Sequence, residues 1–180
     1  MWTRRQSGKL GAMTERRILL VRHAKADRPP GVSDVDRPLT PRGHADAGAV
    51  GAWLAHRDYR PDLVICSPSK RTRQTWHGVA LGMADAAGDN PPSPEVDYRG
   101  EVYDGDAADL IDLIQGVDDA VNTVMIIGHN PSVSVASELL DPDLAGELRT
   151  SGIAAHASAG PWDECGPGAA PLLETHTARG

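Results

Sequence analysis

The sequence predicts an α/β protein, a three-layer sandwich with a mostly parallel central sheet and helices on both faces. Three short apolar segments, each followed by a polar cluster, indicate the central strands: RILLV at 17–21, LVIC at 63–66 and TVMII at 123–127. Parallel strands that are covered on both faces are apolar throughout rather than alternating, and these segments have that pattern. Stretches with helical spacing of apolar residues separate them along the chain.

Capping residues locate the helices. Thr40 is a good N-cap with Pro41 at the first helical position, and this helix is predicted to end near His56. Asp106 is the predicted cap of a later helix that continues to about residue 114. Further helices are predicted at 70–82 and 132–140.

The remaining segments predict loops and weaker strands. The stretch 27–43 is rich in Pro, Gly, Asp and Arg and is predicted to be a long ordered loop. A second loop is predicted at 84–94, before a short strand at 95–98. Two weaker strands, at 152–157 and 172–177, follow each other without an obvious helix. We therefore expect one edge of the sheet to be mixed.

Length and composition favour one domain. The chain has 180 residues, of which 40% are apolar, enough for a single core. We expect a flexible leader at 1–12 and a single domain at 13–180. The formal net charge of −7 argues against a nucleic-acid binder, because such proteins carry a basic face.

The sequence predicts a cytoplasmic protein. The basic start of the chain has no apolar segment behind it, which argues against a secretory signal. No apolar run approaches the roughly 18–20 residues that span a bilayer. Cys66 and Cys165 show no disulfide or zinc pattern, and Cys66 is expected to be buried and inert. We expect a monomer with no cofactor, no metal and no nucleic-acid or membrane partner.

Polar clusters follow the three central strands. Arg22 and His23 follow the first, Ser67 to Arg71 follow the second, and His129 follows the third. Ligands of open α/β sheets bind at the carboxyl ends of the strands. If the strands are parallel neighbours, two histidines and two arginines converge on one pocket.

This combination of residues predicts phosphoryl transfer. Arginine binds phosphate oxygens bidentately and keeps its charge, and a neutral imidazole can attack phosphorus to form a covalent intermediate. Nearby arginines disfavour protonation of His23 and so favour its nucleophilic form. A second imidazole can donate to the phosphoryl oxygens as charge builds on them. No metal is required when the protein supplies the cations.

Four segments then point to a known family. They are LLVRHAKAD, which has Ala24 where a typical RHG signature has Gly; DRPLTPRG at 36–43; CSPSKRTRQT; and IIGHNPSV. In this order they resemble the RHG, RPLT, SP-x-x-R-x-x-QT and GHNP segments of the histidine phosphatase superfamily, and within it the SixA-type phosphohistidine phosphatases. The resemblance extends from about Arg16 to the C-terminus. It implies a phosphoglycerate mutase-like fold.

The resemblance also assigns roles to individual residues. It implies that Arg22 and Arg71 bind phosphate, that His23 is phosphorylated and that His129 is the second catalytic histidine. Many superfamily members have an acidic residue after the third segment that acts as general acid. Glu101 is the candidate here, and Asp104 is close enough to compete.

Three other polar residues near these motifs have less specific roles. Lys25 and Arg37 either add positive potential at the mouth of the pocket or are solvated loop charges. Ser67 is expected to close the turn that follows its strand.

The predicted reaction has two steps: His23 takes the phosphoryl group, and water then hydrolyses phospho-His23. The SixA resemblance, and the lack of an insertion long enough to form a lid, favour phosphohistidine in a partner protein as the substrate. The partner is thus a phosphorylated protein or a small phosphate ester. A phosphomonoesterase acting on small phosphorylated metabolites is the alternative. An inactive phosphate-binding scaffold is an alternative of another class.

Overall fold

Six strands and five α-helices make up the computed structural model, which describes residues 15–180. The strands are β1 (Arg16–Arg22), β2 (Leu63–Cys66), β3 (Glu95–Tyr98), β4 (Thr123–Gly128), β5 (Gly152–Ser158) and β6 (Leu172–Thr177). The helices are α1 (Pro41–His56), α2 (Lys70–Ala87), α3 (Glu101–Asp104), α4 (Ala107–Gln115) and α5 (Ser132–Leu140). Two short 3-10 helices lie at Asp34–Asp36 and Trp162–Glu164.

The strands form one sheet in the order β3-β2-β4-β1-β5-β6. The first four strands in this order are parallel, whereas β5 and β6 pair antiparallel at the other end. The predicted mostly parallel sheet with a mixed edge is therefore confirmed. Arg22 pairs with Gly128 and Cys66 with Ile127, so β1, β4 and β2 end at the same edge.

Apolar side chains cover both faces of the sheet, as the three-layer prediction requires. Because side chains alternate along a strand, neighbouring residues of β1 pack into different layers. Leu19 and Val21 pack on one face with α1 and α2, through Val50, Leu54, Val79 and Met83. Ile18 and Leu20 pack on the other face with α4 and α5, through Leu110, Ile111, Ile114, Val133, Ala136 and Leu140.

Both predicted helix caps are present. The hydroxyl of Thr40 accepts a hydrogen bond from the backbone N–H of Gly43 at 3.0 Å, directly before Pro41 begins α1. Asp106 forms a capping box with Asp109 at the start of α4. Each cap satisfies N–H groups that a helix leaves without an intrahelical partner.

The helices differ from the prediction at two places. Helix α2 continues to Ala87, beyond the end predicted at Gly82, because Gly82 lies inside the helix against the backbone of Gly48 in α1. Here glycine permits close helix packing rather than ending a helix. Helix α3 is a single turn and was not predicted, since four residues carry too little periodicity to recognise.

Two further predictions concern the N-terminal leader and membrane-spanning segments. The predicted leader at 1–12 lies outside the described residues, so the domain boundary at 13 stays a prediction. Within residues 15–180, no helix combines the length and apolar character needed to cross a membrane.

Glycines in α1 provide a matched test of the α1–α2 contact. A Cβ added to Gly51 would overlap the carbonyl oxygen of Val79, whereas a Cβ on Gly48 would meet nothing within 4 Å. Gly48→Ala should stabilise the protein by about 0.5–1 kcal/mol, because alanine loses less backbone entropy in a helix. Gly51→Ala should destabilise it by about 1–3 kcal/mol, because the helices must separate. Urea unfolding measures both, and a Gly51→Ala protein as stable as Gly48→Ala would contradict this packing.

Candidate active site

The ends of β1, β4 and β2 surround a polar pocket of about 380 Å³. It is lined by Arg22, His23, Lys25, Ala26, Arg28, Asp34, Arg37, Arg71, His129, Asn130 and Thr150. Four of the five residues predicted for the site are in this set. These four residues come from three segments that are far apart along the chain, and the parallel register of the three strands brings the segments together.

Backbone contacts hold the segment after β1. The N–H of His23 donates to the carbonyl of Gly128 at 3.0 Å, which continues the β1–β4 pairing by one residue. The N–H of Ala24 donates to the Thr75 hydroxyl of α2 at 3.0 Å. A Cβ on Gly43 would overlap the carbonyl oxygen of Lys25, so glycine at this position lets α1 approach the segment. The segment 23–25 therefore contacts β4, α2 and α1.

The tautomer of His23 follows from its neighbour. Nδ1 of His23 lies 2.7 Å from the carbonyl oxygen of Ala24, which can only accept. Nδ1 therefore carries the proton in the neutral ring, and Nε2 has a free lone pair. This is the arrangement that a nucleophilic imidazole requires.

The protonation state of His23 depends mainly on burial. The pKa of His23 is lowered from 6.5 to about 4; burial is the largest cause, and the positive charges of Arg71 and Arg22 act in the same direction. The hydrogen bond to Ala24 opposes this shift. The arginines thus act in the predicted direction, but desolvation is the larger cause. At neutral pH the ring is uncharged.

His129 lies beside His23 and is also neutral. The centroids of the two rings are 5.2 Å apart. Burial lowers the pKa of His129 to about 3, with the His23 ring and Arg71 as further causes. Its Nδ1 lies 3.2 Å from Nη2 of Arg71, which can only donate, and its Nε2 lies 2.8 Å from the Ser67 hydroxyl. The proton of His129 is therefore on Nε2, and Ser67 orients the ring in addition to closing its turn.

Both arginines have donors that the protein leaves unused. Arg22 donates from Nη1 to the carbonyl of Leu148 at 3.0 Å, and Arg71 donates from Nη1 to the carbonyl of Asp34 at 2.7 Å. The Nε atoms of both side chains are buried without a hydrogen-bond partner in the described part of the chain. Unpaired buried donors are costly, and a bound oxyanion would supply acceptors for this pair of guanidinium groups.

Asp34 and Tyr103 belong to the site and were missed in the sequence. The Asp34 carboxylate accepts from Nη2 of Arg71 at 3.1 Å and from the Tyr103 hydroxyl at 2.8 Å. The Tyr103 ring is 5.6 Å from that of His129. The hydrogen bond from Tyr103 is the largest cause that holds the pKa of Asp34 well below its usual range, followed by those from Arg37 and Arg71. The charged loop at 27–43 was the available signal for Asp34.

The structure does not bring Glu101 to the pocket. Its carboxylate accepts from Nη2 of Arg99 at 2.7 Å, and this hydrogen bond is the largest cause that lowers its pKa. Asp104 is likewise absent from the pocket lining. Both are in α3, the single turn that was not predicted, and the side chain of α3 that contacts the site is Tyr103. A role for Glu101 or Asp104 as general acid stays a prediction.

The mouth of the pocket is cationic. Lys25, Arg28 and Arg37 line it together with the two deeper arginines. Arg37 also pairs with Asp34 at 3.1 Å, so it braces the loop as well as adding charge. The described residues include no group of three or more His, Cys, Asp or Glu side chains placed to hold a metal ion.

These observations define what the pocket can do chemically. It presents a neutral imidazole with a free lone pair, a second neutral imidazole with one N–H, and two guanidinium groups with unused donors. Such a set suits attack of Nε2 of His23 on a bound phosphoryl group.

Comparisons with known proteins agree with this geometry. A family model described as the histidine phosphatase superfamily, branch 1, matches residues 18–91. An uncharacterized protein of Mycobacterium tuberculosis is 35% identical over 169 residues, which are 88% of this chain and 100% of the relative. A second relative, from Mycobacterium leprae, is 30% identical and is also covered completely.

Solved structures extend the comparison to the fold. One similar structure is a Nakamurella multipartitia protein assigned as phosphohistidine phosphatase SixA. Its TM-score is 0.73 and its sequence is 28% identical, over 91% of this chain and 96% of that one. A SixA protein of Agrobacterium tumefaciens, assigned in the same way, has a TM-score of 0.73 and 29% identity, over 89% of this chain and 97% of that one. The phosphoglycerate mutase-like fold implied by the sequence motifs is thus confirmed.

The depressed histidine pKa values predict how stability depends on pH. In the unfolded chain His23 binds a proton as the pH falls through 6.5, whereas the folded protein resists protonation until about pH 4. Stability conferred by the neutral ring is therefore fully present above pH 6.5 and is lost progressively between these values. From pH 7 to 4.5 the wild type should lose about 2 kcal/mol more than His23→Gln.

Urea unfolding in buffers without phosphate or sulfate measures this difference. His77→Gln, at an exposed position on α2, is the matched control and should follow the wild-type pH dependence. Parallel pH curves for wild type and His23→Gln would contradict a buried neutral ring.

Proposed function

We propose that this chain, which belongs to the histidine phosphatase superfamily, forms a covalent phosphoryl intermediate on His23 and acts on phosphohistidine in a partner protein. Membership of the family makes the chain a phosphatase. The intermediate, the roles of individual residues and the substrate are the proposal.

One observation carries the proposal. The hydrogen bond from Nδ1 of His23 to Ala24 directs the proton away from Nε2, in a pocket where burial keeps the ring neutral. Nε2 is therefore available as a nucleophile at physiological pH without a separate base. The buried Arg71 and the half-buried Arg22, each with an unused Nε donor, lie in the same pocket.

In the first step, Nε2 of His23 attacks phosphorus while the bond to the leaving group breaks. Arg22 and Arg71 bind the phosphoryl oxygens and balance the charge that builds on them. The N–H on Nε2 of His129 exchanges its contact with Ser67 for a phosphoryl oxygen. In the second step, water displaces His23 from phosphorus, and phosphate leaves.

The substrate proposal rests on the carboxyl groups that the described residues contribute to the pocket lining. Among the described residues that line the pocket, Asp34 is the one carboxyl group, and its depressed pKa keeps it ionised at neutral pH. An alkoxide leaving group requires a proton from an acid. The imidazole of phosphohistidine can be protonated on its second nitrogen beforehand, so it can leave without an enzyme acid. The two similar SixA structures favour the same substrate class.

The proposed intermediate can be trapped. Wild-type protein quenched at alkaline pH during turnover should carry an acid-labile phosphoryl group on His23, detectable by mass spectrometry of its peptides. His23→Ala should lose the label and reduce turnover by a factor of at least about one hundred, because the nucleophile is absent. Circular dichroism verifies that this variant is folded.

The control for the trapping experiment is His77→Ala, which removes an exposed histidine of α2 outside the pocket. It should label and turn over as the wild type does. Full turnover by folded His23→Ala would exclude the mechanism. Absence of any label or turnover with every substrate tested would favour the inactive phosphate-binding scaffold.

A substrate panel tests the leaving group. We expect kcat/KM for a phosphohistidine peptide to exceed that for the same peptide with phosphoserine by at least about a hundredfold, because only the first leaves without an acid. The panel includes small phosphorylated metabolites. Faster turnover of a small metabolite than of the phosphohistidine peptide would favour the phosphomonoesterase alternative.

A further inference from the structure

Within residues 15–180, a single carboxylate lines the pocket, and cationic side chains surround it. Asp34 is on the short 3-10 helix Asp34–Asp36, within the loop that borders the pocket mouth. A negative charge beside the arginines opposes the binding of an anionic phosphoryl group, since like charges repel at short range. A function of the Asp34 carboxylate should therefore offset this unfavourable effect on phosphoryl binding.

The hydrogen bonds of Asp34 leave room for one more donor. Oδ2 accepts from Arg71 and from the Tyr103 hydroxyl, which fills the two acceptor directions of this oxygen. Oδ1 accepts only from Nη1 of Arg37, at 3.1 Å, among the described residues. The Asp34 side chain is 54% exposed. A free acceptor direction of an ionised carboxylate is thus open to solvent at the pocket.

A phosphohistidine substrate presents the complementary group. When its second ring nitrogen is protonated, the ring is a cation with one N–H, and an ionised carboxylate is the strongest acceptor for it. The structure already shows the same arrangement for the nucleophile, whose second ring nitrogen donates to the carbonyl of Ala24. The substrate ring requires a similar acceptor, and Asp34 is the carboxylate that the described residues contribute to the pocket lining.

We propose that Asp34 is a specificity-determining residue, whose carboxylate accepts the ring N–H of the substrate phosphohistidine and stabilises the protonated leaving group. This proposal rests on the proposed function, because it names how that same site selects its substrate. In this role the Asp34 carboxylate stabilises the protonated substrate ring electrostatically and donates no proton to it.

The step balances without a proton donor. The lone pair on Nε2 of His23 forms the new bond to phosphorus, and the electron pair of the broken P–N bond returns to the substrate nitrogen. The substrate leaves as a neutral imidazole that keeps its proton on the nitrogen facing Asp34. Phospho-His23 keeps its own proton on Nδ1, and the attacking water later supplies the oxygen and protons of the released phosphate.

The same carboxylate disfavours phosphomonoesters. An ester oxygen leaves with developing negative charge, which Asp34 repels, and it has no N–H to donate. Asp34 should therefore raise turnover of phosphohistidine and lower that of phosphomonoesters. A residue that merely held Arg71 in place would affect both classes alike, and this difference separates the two roles.

The test compares Asp34→Asn with the wild type on two substrates, a phosphohistidine peptide and para-nitrophenyl phosphate. The amide keeps the size and an acceptor oxygen but loses the charge. The ratio of kcat/KM for the peptide to kcat/KM for the aryl phosphate should fall by about tenfold or more, because a hydrogen bond to a charged group is lost. Hydrolysis of the aryl phosphate should be retained or increased.

Two further variants separate charge from position. Asp36→Asn changes an exposed carboxylate of the same short helix that accepts from Ser33 and lies outside the pocket, and it should keep the wild-type ratio. Tyr103→Phe removes one contact of Asp34 but retains the carboxylate, so it too should keep the ratio even if both rates change.

Each result decides the proposal. A fall in the ratio confined to Asp34→Asn supports it. An unchanged ratio in Asp34→Asn, equal losses on both substrates, or an equal fall in Tyr103→Phe would overturn it while leaving the phosphohistidine activity in place. Wild-type protein that hydrolyses the aryl phosphate but not the phosphohistidine peptide would overturn both this inference and the proposed substrate.

Discussion

The in-register parallel pairing of β1, β4 and β2 determines where the proposed catalytic residues of this protein lie. Arg22 is opposite Gly128, and Cys66 is opposite Ile127, so the next residue of each strand emerges at one edge. A one-residue slip would turn successive side chains to the other face and separate the two histidines. The apolar side chains on both faces oppose such a slip, since it would exchange the contents of the two cores. The packing of the two cores therefore fixes the strand register, and the register fixes the geometry of the site.

Burial and positive charge act on the histidines in the same direction. Desolvation disfavours a protonated imidazole, and so do the neighbouring guanidinium groups. Both rings therefore stay neutral at pH values well below the ordinary histidine pKa of 6.5. Asp34 opposes this effect at His129, and the pKa of His23 is still lowered to about 4 with this carboxylate in the same pocket. A carboxylate that is itself paired with Arg71 and Arg37 can face the pocket without restoring a proton to the nucleophile. If Asp34 accepts a hydrogen bond from the substrate ring as proposed, it can do so without raising the pKa of His23 into the neutral range.

The sequence was most informative where a residue has one dominant reason for its position. Apolar runs located β1, β2 and β4, the caps at Thr40 and Asp106 located two helix starts, and the polar clusters after the strands located four pocket residues. What it did not reveal depends on contacts between distant segments. The extension of α2 past Gly82 requires knowledge of Gly48 in α1, and the contact of Asp34 with Arg71 requires knowledge of how the loop folds back. Periodicity and motif spacing contain neither fact.

The distribution of charge has a consequence for how a substrate arrives. The chain has a formal net charge of −7, yet the part of it that the structure describes lines the pocket with five cationic side chains and one carboxylate, Asp34. The rest of the molecule is therefore more strongly negative than the total suggests, and field lines from an approaching phosphoryl group converge on the pocket. A partner protein that presents phosphohistidine meets repulsion from most of this surface unless its own charge there is low or positive. Under the proposed function, attraction is then confined to the phosphorylated side chain, so the overall charge favours recognition of the modification over broad contact with an acidic protein.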